Sequence, residues 1–134
     1  MATDTRQPAT ATAKASAVLA VGAWLKNTAC WLPADGGAPR WSAVHGDLSD
    51  PAACEALAAS VQALRDEADA PPAAIAHDLH PDFHSTHLAI QLAQQLSVPA
   101  VPVQHHHAHI AVVQATQGLH EPVIGLALDG VGLG

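Results

Sequence analysis

Short apolar runs separated by turn residues dominate the first third of the chain. Three runs have the length of β-strands: Ala17–Gly22, Ala29–Leu32 and Arg40–Val44. A Pro-Ala-Asp-Gly-Gly segment at 33–37 separates the second from the third and is typical of a turn. The pattern therefore predicts an antiparallel meander of three strands.

Helical periodicity follows the meander. Asp50 is a favourable N-cap, and Pro51 loses no hydrogen bond at the first helical position. Four apolar residues then recur at spacings of four, three and four: Leu57, Val61, Leu64 and Ala68. Two more helices are predicted, one starting near Ser85 and one over His105–Gln117 that Gly118 ends.

Extended segments alternate with these helices. They are Ala73–Ala76, Val98–Val103, which its prolines favour as a shielded or edge strand, and Val123–Leu128, interpreted as a buried strand. The order β-β-β-α-β-α-β-α-β predicts an α/β fold with a mixed sheet and helices on its faces. Ligands in such folds bind beyond the carboxyl ends of the strands, so polar clusters at those ends are candidate sites.

Composition narrows the functional classes. The 134 residues suit about one domain, and 49% are hydrophobic. The formal net charge of -7 argues against a nucleic-acid partner, which requires a basic face. The chain has no uninterrupted run of 18 apolar residues, so no membrane-spanning helix is predicted. The opening residues do not have the pattern of a secretory signal. We expect a cytoplasmic protein whose residues 1–16 form a flexible leader.

Histidine is the unusual residue of this chain. There are ten, and all but His45 lie between His77 and His120. On a helix, His105 and His109 share one face and could bind one metal ion. Asp129, at a predicted strand end, is the best third ligand. The alternative is that the histidine run caps a helix or covers a surface.

Three other clusters have weaker signals. The glycines that follow Asp129, Gly130 and Gly132 among them, could cradle a phosphate or form an ordinary hairpin. Lys26 and Asn27, after the first strand, could hold a phosphate or adenylate, or could be hairpin-tip residues. The His-Asp-Leu-His-Pro-Asp segment at 77–82 could contribute to a second metal site, or could form loop hydrogen bonds and helix caps.

Six motifs together resemble one family. They are Leu-Ala-Val-Gly at 19–22, Leu-Lys-Asn-Thr at 25–28, His-Gly-Asp-Leu at 45–48, the segment at 77–82, Val-Gln-His-His-His-Ala-His at 103–109, and Ala-Leu-Asp-Gly-x-Gly-x-Gly at 127–134. In this order and spacing, the chain resembles the HypF-type [NiFe]-hydrogenase maturation carbamoyltransferases. Their transfer domain is similar to the universal tRNA threonylcarbamoyl transferase.

The resemblance implies a fold and an organisation. It implies the first lobe of an actin/sugar-kinase-like (RNase H-like) fold over residues 17–118. Residues 119–134 would supply the first strand and Gly-rich turn of a second lobe that is almost entirely missing. We therefore expect a fragment of a longer transferase that is inactive on its own.

The resemblance also implies a chemistry. Such an enzyme forms carbamoyl-adenylate from carbamoyl phosphate and ATP, then passes the carbamoyl group to the C-terminal cysteine of a hydrogenase maturation partner. His105, His109 and Asp129 correspond to ligands of a divalent metal, zinc or iron. Lys26, Asn27, Asp129, Gly130 and Gly132 are the expected contacts to the adenylate. The alternative function is a non-catalytic, His-rich metal-binding module.

Overall fold

A computed structural model describes residues 16–129 of the chain. All of the predicted leader except Ser16 therefore lies outside the described residues. So do Gly130 and Gly132, the turn glycines expected to contact the adenylate. The elements in chain order are β1 (Val18–Ala20), β2 (Cys30–Leu32), β3 (Arg40–Trp41), α1 (Pro51–Asp66), β4 (Ala74–Asp78), α2 (His84–Leu96), β5 (Ala100–Val103) and α3 (His105–Gln117).

The five strands form one mixed sheet in the order β3-β2-β1-β4-β5. β1, β2 and β3 pair antiparallel, as the meander prediction requires. β4 and β5 add in parallel to β1, which places the Pro-containing β5 at the edge of the sheet. The predicted α/β class, with a mixed sheet and helices, is confirmed.

The core lies between the central strands and helices α1 and α2. Asp50 caps α1 by accepting a hydrogen bond from the Ala52 amide at 3.0 Å, and Pro51 occupies the first helical position. The two helices and the central strands share a set of buried apolar side chains: Leu19, Trp31, Leu57, Val61, Leu64, Ile75, Ala89, Leu92 and Ala93. The apolar stripe predicted for α1 is thus the face that it buries.

Helix α3 differs from the other two helices. It runs from His105 to Gln117 and ends at Gly118, whose φ of 63° suits glycine at a helix C-terminus. None of its residues is buried, whereas α1 buries four and α2 five. Among the described residues, α3 is therefore the helix least anchored by apolar packing.

The prediction of a buried strand at Val123–Leu128 is wrong. No strand is present there, and Ile124, Leu126 and Leu128 are 104%, 80% and 89% exposed. A strand needs a neighbour for its backbone groups, and within residues 16–129 no strand pairs with this run. Its composition alone could not reveal that.

Within residues 16–129, no helix combines the length and apolarity needed to cross a membrane.

Candidate metal centre

The carboxyl ends of β1, β4 and β5 lie along one edge of the sheet because these strands are parallel. Asp78, the last residue of β4, is in register with Val103, the last residue of β5. One residue later, at Gln104, the chain turns into α3, so His105 is the first residue of that helix. The sheet register thus brings Asp78 beside His105.

Three side chains that the sequence singled out converge at this edge. Asp129 Oδ2 lies 2.8 Å from His105 Nε2 and 3.1 Å from His109 Nε2. The two Nε2 atoms are 3.2 Å apart, since the residues are one helical turn apart on α3. The predicted proximity of Asp129 to the histidine pair is confirmed.

These three residues fit a divalent metal by the chemistry of their donor atoms. One atom from each of His105, His109 and Asp129 lies within 4.8 Å of the other two. Two imidazole nitrogens and a carboxylate oxygen are ligands that zinc and iron(II) accept. Within residues 16–129 this is the one group of three or more such side chains close enough to share an ion.

Asp78 contacts His105 at the ring nitrogen that does not face Asp129. It is 7% exposed, and its Oδ2 accepts a hydrogen bond from His105 Nδ1 at 2.7 Å. The Asp78 carboxylate raises the pKa of His105 above its usual 6.5; burial of the ring opposes this, and Asp129 reinforces it. His105 is therefore held between two carboxylates, one at each ring nitrogen.

A cavity of about 310 Å³ opens beside the cluster. His105 and His109 line it on the α3 side, and His77 and Asp78 on the sheet side. Most of the remaining wall is small and apolar: Ala20, Gly22, Ala23, Ala76, Val103, Ala108 and Val112. A concave apolar space with a few polar groups at one end is typical of small-ligand sites.

The structure does not bring Asn27 to this cavity. Its side chain is 1% exposed, and its amide donates to the backbone carbonyls of Val21 at 2.9 Å and Ala23 at 3.1 Å. Its Oδ1 lies 2.8 Å from His45 Nδ1. Both polar atoms are thus used inside the protein, and Asn27 fixes the loop that follows β1. Its predicted contact with the adenylate stays a prediction.

Lys26 has a different environment from its neighbour. It is exposed, has a positive φ of 48°, and does not line the cavity beside the histidines. Its predicted contact with the adenylate stays a prediction.

His80, His106 and His107 do not line this cavity. The His80 ring stacks on Phe83 with centroids 4.3 Å apart. The backbone amide of Asp82 donates to His80 Nδ1 at 3.2 Å, as expected for a loop interaction. His106 and His107 line a separate cavity on another side of α3.

Sequence reasoning missed the part played by Asp78. The segment at 77–82 by itself allows a metal pair or a loop and shows no link to the histidine run. The available signal is positional: a carboxylate ends one parallel strand, and His105 and His109 follow the next. Carboxyl ends of neighbouring parallel strands meet at one edge.

Known proteins match this chain over most of its length. The family model described as "HypF Kae1-like domain" matches residues 13–116. A carbamoyltransferase HypF homolog of Cupriavidus necator is 64% identical over 117 residues, which cover 87% of this chain and 29% of that protein. Carbamoyltransferase HypF2 of the same organism is 54% identical over 118 residues, or 87% of this chain and 14% of that protein.

A solved structure agrees with the sequence matches. The crystal structure of full-length HypF in the phosphate- and nucleotide-bound form superposes with a TM-score of 0.78 at 37% identity, covering 89% of this chain and 15% of that one. The chain thus spans less than a third of each of these three relatives. Because the family model covers well over half of the sequence, the chain belongs to the HypF Kae1-like domain family.

Proposed function

We propose that this chain supplies the metal-binding lobe of a carbamoyltransferase. The whole enzyme would transfer a carbamoyl group from carbamoyl-adenylate, made from carbamoyl phosphate and ATP, to the C-terminal cysteine of a [NiFe]-hydrogenase maturation partner. The observation that carries the proposal is the convergence of His105, His109 and Asp129 beside a cavity, in a chain whose relatives are named carbamoyltransferases.

The donor set defines what the site would hold. His105 Nε2, His109 Nε2 and the Asp129 carboxylate would bind zinc or iron(II). When bound, such an ion supplies a Lewis acid that polarises a carbonyl oxygen. The helix keeps the two imidazoles on one face, and the Asp129 carboxylate would balance part of the charge of the ion.

The cavity would hold the donor beside the ligand cluster. Its small side chains leave room for a planar group, and the backbone at Gly22 and Ala23 is held by neighbouring side chains. Ser85 Oγ donates to the Ala23 carbonyl at 2.8 Å, and Asn27 donates to the same oxygen at 3.1 Å. These contacts fix one wall of the cavity before any ligand arrives, which lowers the entropy cost of binding.

The same geometry leads us to propose that the chain alone does not catalyse transfer. The His109 side chain is 57% exposed and Asp129 is 28% exposed, so the cluster is open to water on one side. Catalysis of group transfer depends on excluding water and on fixing donor and acceptor within small tolerances. Given synthetic carbamoyl-adenylate and the partner protein, the chain should add no carbamoyl mass to the cysteine above a control without it.

Zinc titration of the full chain by calorimetry tests the site. The double variant His105→Ala/His109→Ala should lose zinc binding because two of the three donor side chains are removed. The matched control is His106→Ala/His107→Ala, which removes two histidines from the same helix and should bind zinc as the parent does. Zinc binding that survives the first double variant, or is lost in the control, would refute the assignment.

Nucleotide binding separates the transferase from a histidine-rich metal module. A non-hydrolysable analogue of carbamoyl-adenylate should bind the zinc-loaded chain and not the His105→Ala/His109→Ala variant. A chain that binds zinc through His105 and His109 but shows no saturable binding of the analogue would favour the metal module instead.

A further inference from the structure

Asp78 is a buried carboxylate that lies outside the proposed ligand set yet touches it. Its side chain is 4% exposed, and Oδ2 lies 2.7 Å from His105 Nδ1. A buried carboxylate requires compensating partners, because desolvation of its charge is unfavourable. Asp78 therefore has a defined partner at the site, and the contact is the shortest that His105 makes to a carboxylate.

The protein fixes this carboxylate from several directions. Asp78 Oδ1 accepts the backbone amide of His80 at 2.9 Å. The Asp78 carbonyl accepts from His77 Nδ1 at 2.7 Å and from Thr86 Oγ1 at 3.3 Å. The residue is also held by its register opposite Val103 on β5. Oδ2 is thus presented to His105 at a position set by the sheet.

A neutral imidazole has one protonated nitrogen and one with a free lone pair. His105 Nε2 faces His109 and Asp129, so this nitrogen must have the lone pair if the residue is to bind a metal ion. We propose that Asp78 is a positioning residue for the metal centre, which accepts the Nδ1 proton of His105 in a hydrogen bond and so presents Nε2 to the ion. This inference rests on the metal site proposed above.

The isosteric change Asp78→Asn reverses the hydrogen-bond polarity. The backbone N–H of His80 can only donate, so it would keep the single amide oxygen of Asn as its acceptor. The new NH₂ group would then face His105 Nδ1. The imidazole would then accept at Nδ1 and donate from Nε2 to Asp129. That tautomer cannot bind an ion through Nε2.

The test compares zinc affinity of the full chain and three variants by calorimetry. Asp78→Asn should weaken binding by about 10- to 100-fold, the range seen when the partner of a metal-binding histidine is removed. Asp82→Asn is the matched control, because it makes the same isosteric change at an exposed carboxylate of the same segment that does not line the cavity. It should leave zinc affinity unchanged.

Each outcome has a separate meaning. Parent-like affinity in Asp78→Asn, or an equal loss in Asp82→Asn, would overturn the positioning role and leave the metal site standing. Parent-like affinity in His105→Ala/His109→Ala would instead overturn the proposed metal site. Long-range ¹H–¹⁵N spectra of the unsubstituted, zinc-loaded chain give a test that needs no variant to fold. They should show the His105 proton on Nδ1, and a proton on Nε2 would overturn the proposal.

Discussion

Replacing Asn27 with alanine should destabilise the fold strongly. The side chain makes three internal hydrogen bonds, to Val21, Ala23 and His45, at 2.9, 3.1 and 2.8 Å. The bonds to Val21 and His45 contribute about 1 kcal/mol each, and the buried Val21 carbonyl left without its donor adds about 1–3 kcal/mol. The Ala23 carbonyl keeps its bond from Ser85, so loss of the Asn27 bond to it adds little. The expected loss is therefore about 3–5 kcal/mol, against a typical total of about 5–15 kcal/mol.

Urea unfolding followed by circular dichroism measures this loss. With a urea dependence of about 1–3 kcal/mol per molar, the midpoint should fall by about 1–5 M. Thr28→Ala is the control from the same motif, since its hydroxyl makes only an exposed 3.3 Å contact with the Lys26 carbonyl. It should change the free energy of unfolding by less than about 0.5 kcal/mol. A parent-like stability of Asn27→Ala, combined with lost binding of an adenylate analogue, would show that Asn27 contacts the ligand and would refute the structural role.

Two further predictions concern packing and pH. Leu57→Ala should lower the free energy of unfolding by about 2–5 kcal/mol, because Leu57 is 0% exposed at the centre of the core. Ile124→Ala, at a fully exposed position, should change it by less than about 0.5 kcal/mol. Equal effects of the two variants in urea unfolding would contradict the assignment of Leu57 to the core. Burial lowers the pKa of His45 below 6.5 in the folded chain. As the pH falls, His45 is therefore protonated in the unfolded chain before it is protonated in the folded chain. The stability that is present above pH 6.5 is lost as the pH falls from 6.5 through the lowered pKa. His45→Gln should therefore show a smaller loss of stability below pH 6.5 than the parent, and an identical slope would contradict the assigned shift.

The sequence predicted most elements because their signals are local. Asp50 and Pro51 mark the start of α1, Gly118 marks the end of α3, and the spacing of apolar residues identifies the buried face of α1. The helix spacing of His105 and His109 likewise predicted, without tertiary information, that their rings lie on one face of α3. Such features depend on a few neighbouring residues, so one sequence is enough to find them.

The misses have a common physical cause, which is dependence on distant neighbours. An apolar run such as Val123–Leu128 becomes a strand only if another strand pairs with it, and the described residues provide none. The polarity of Asn27 is visible in the sequence, but its burial and its hydrogen bonds to Val21 and Ala23 depend on the folded chain. Asp78 acquires its partner through the register of β4 and β5, which composition does not specify.

The weak anchoring of α3 has a consequence for how tightly the chain can hold an ion. A helix without buried side chains exchanges between closed and locally open forms at a smaller free-energy difference than a core helix such as α1. His105 and His109 both lie on this helix, so an ion at the proposed site would be bound only by the closed fraction, and its apparent affinity would fall in proportion. A surface that covered α3 would tighten ion binding without touching a ligand, and ion binding would slow amide exchange along α3. The two events are thermodynamically linked, and each must favour the other by the same factor.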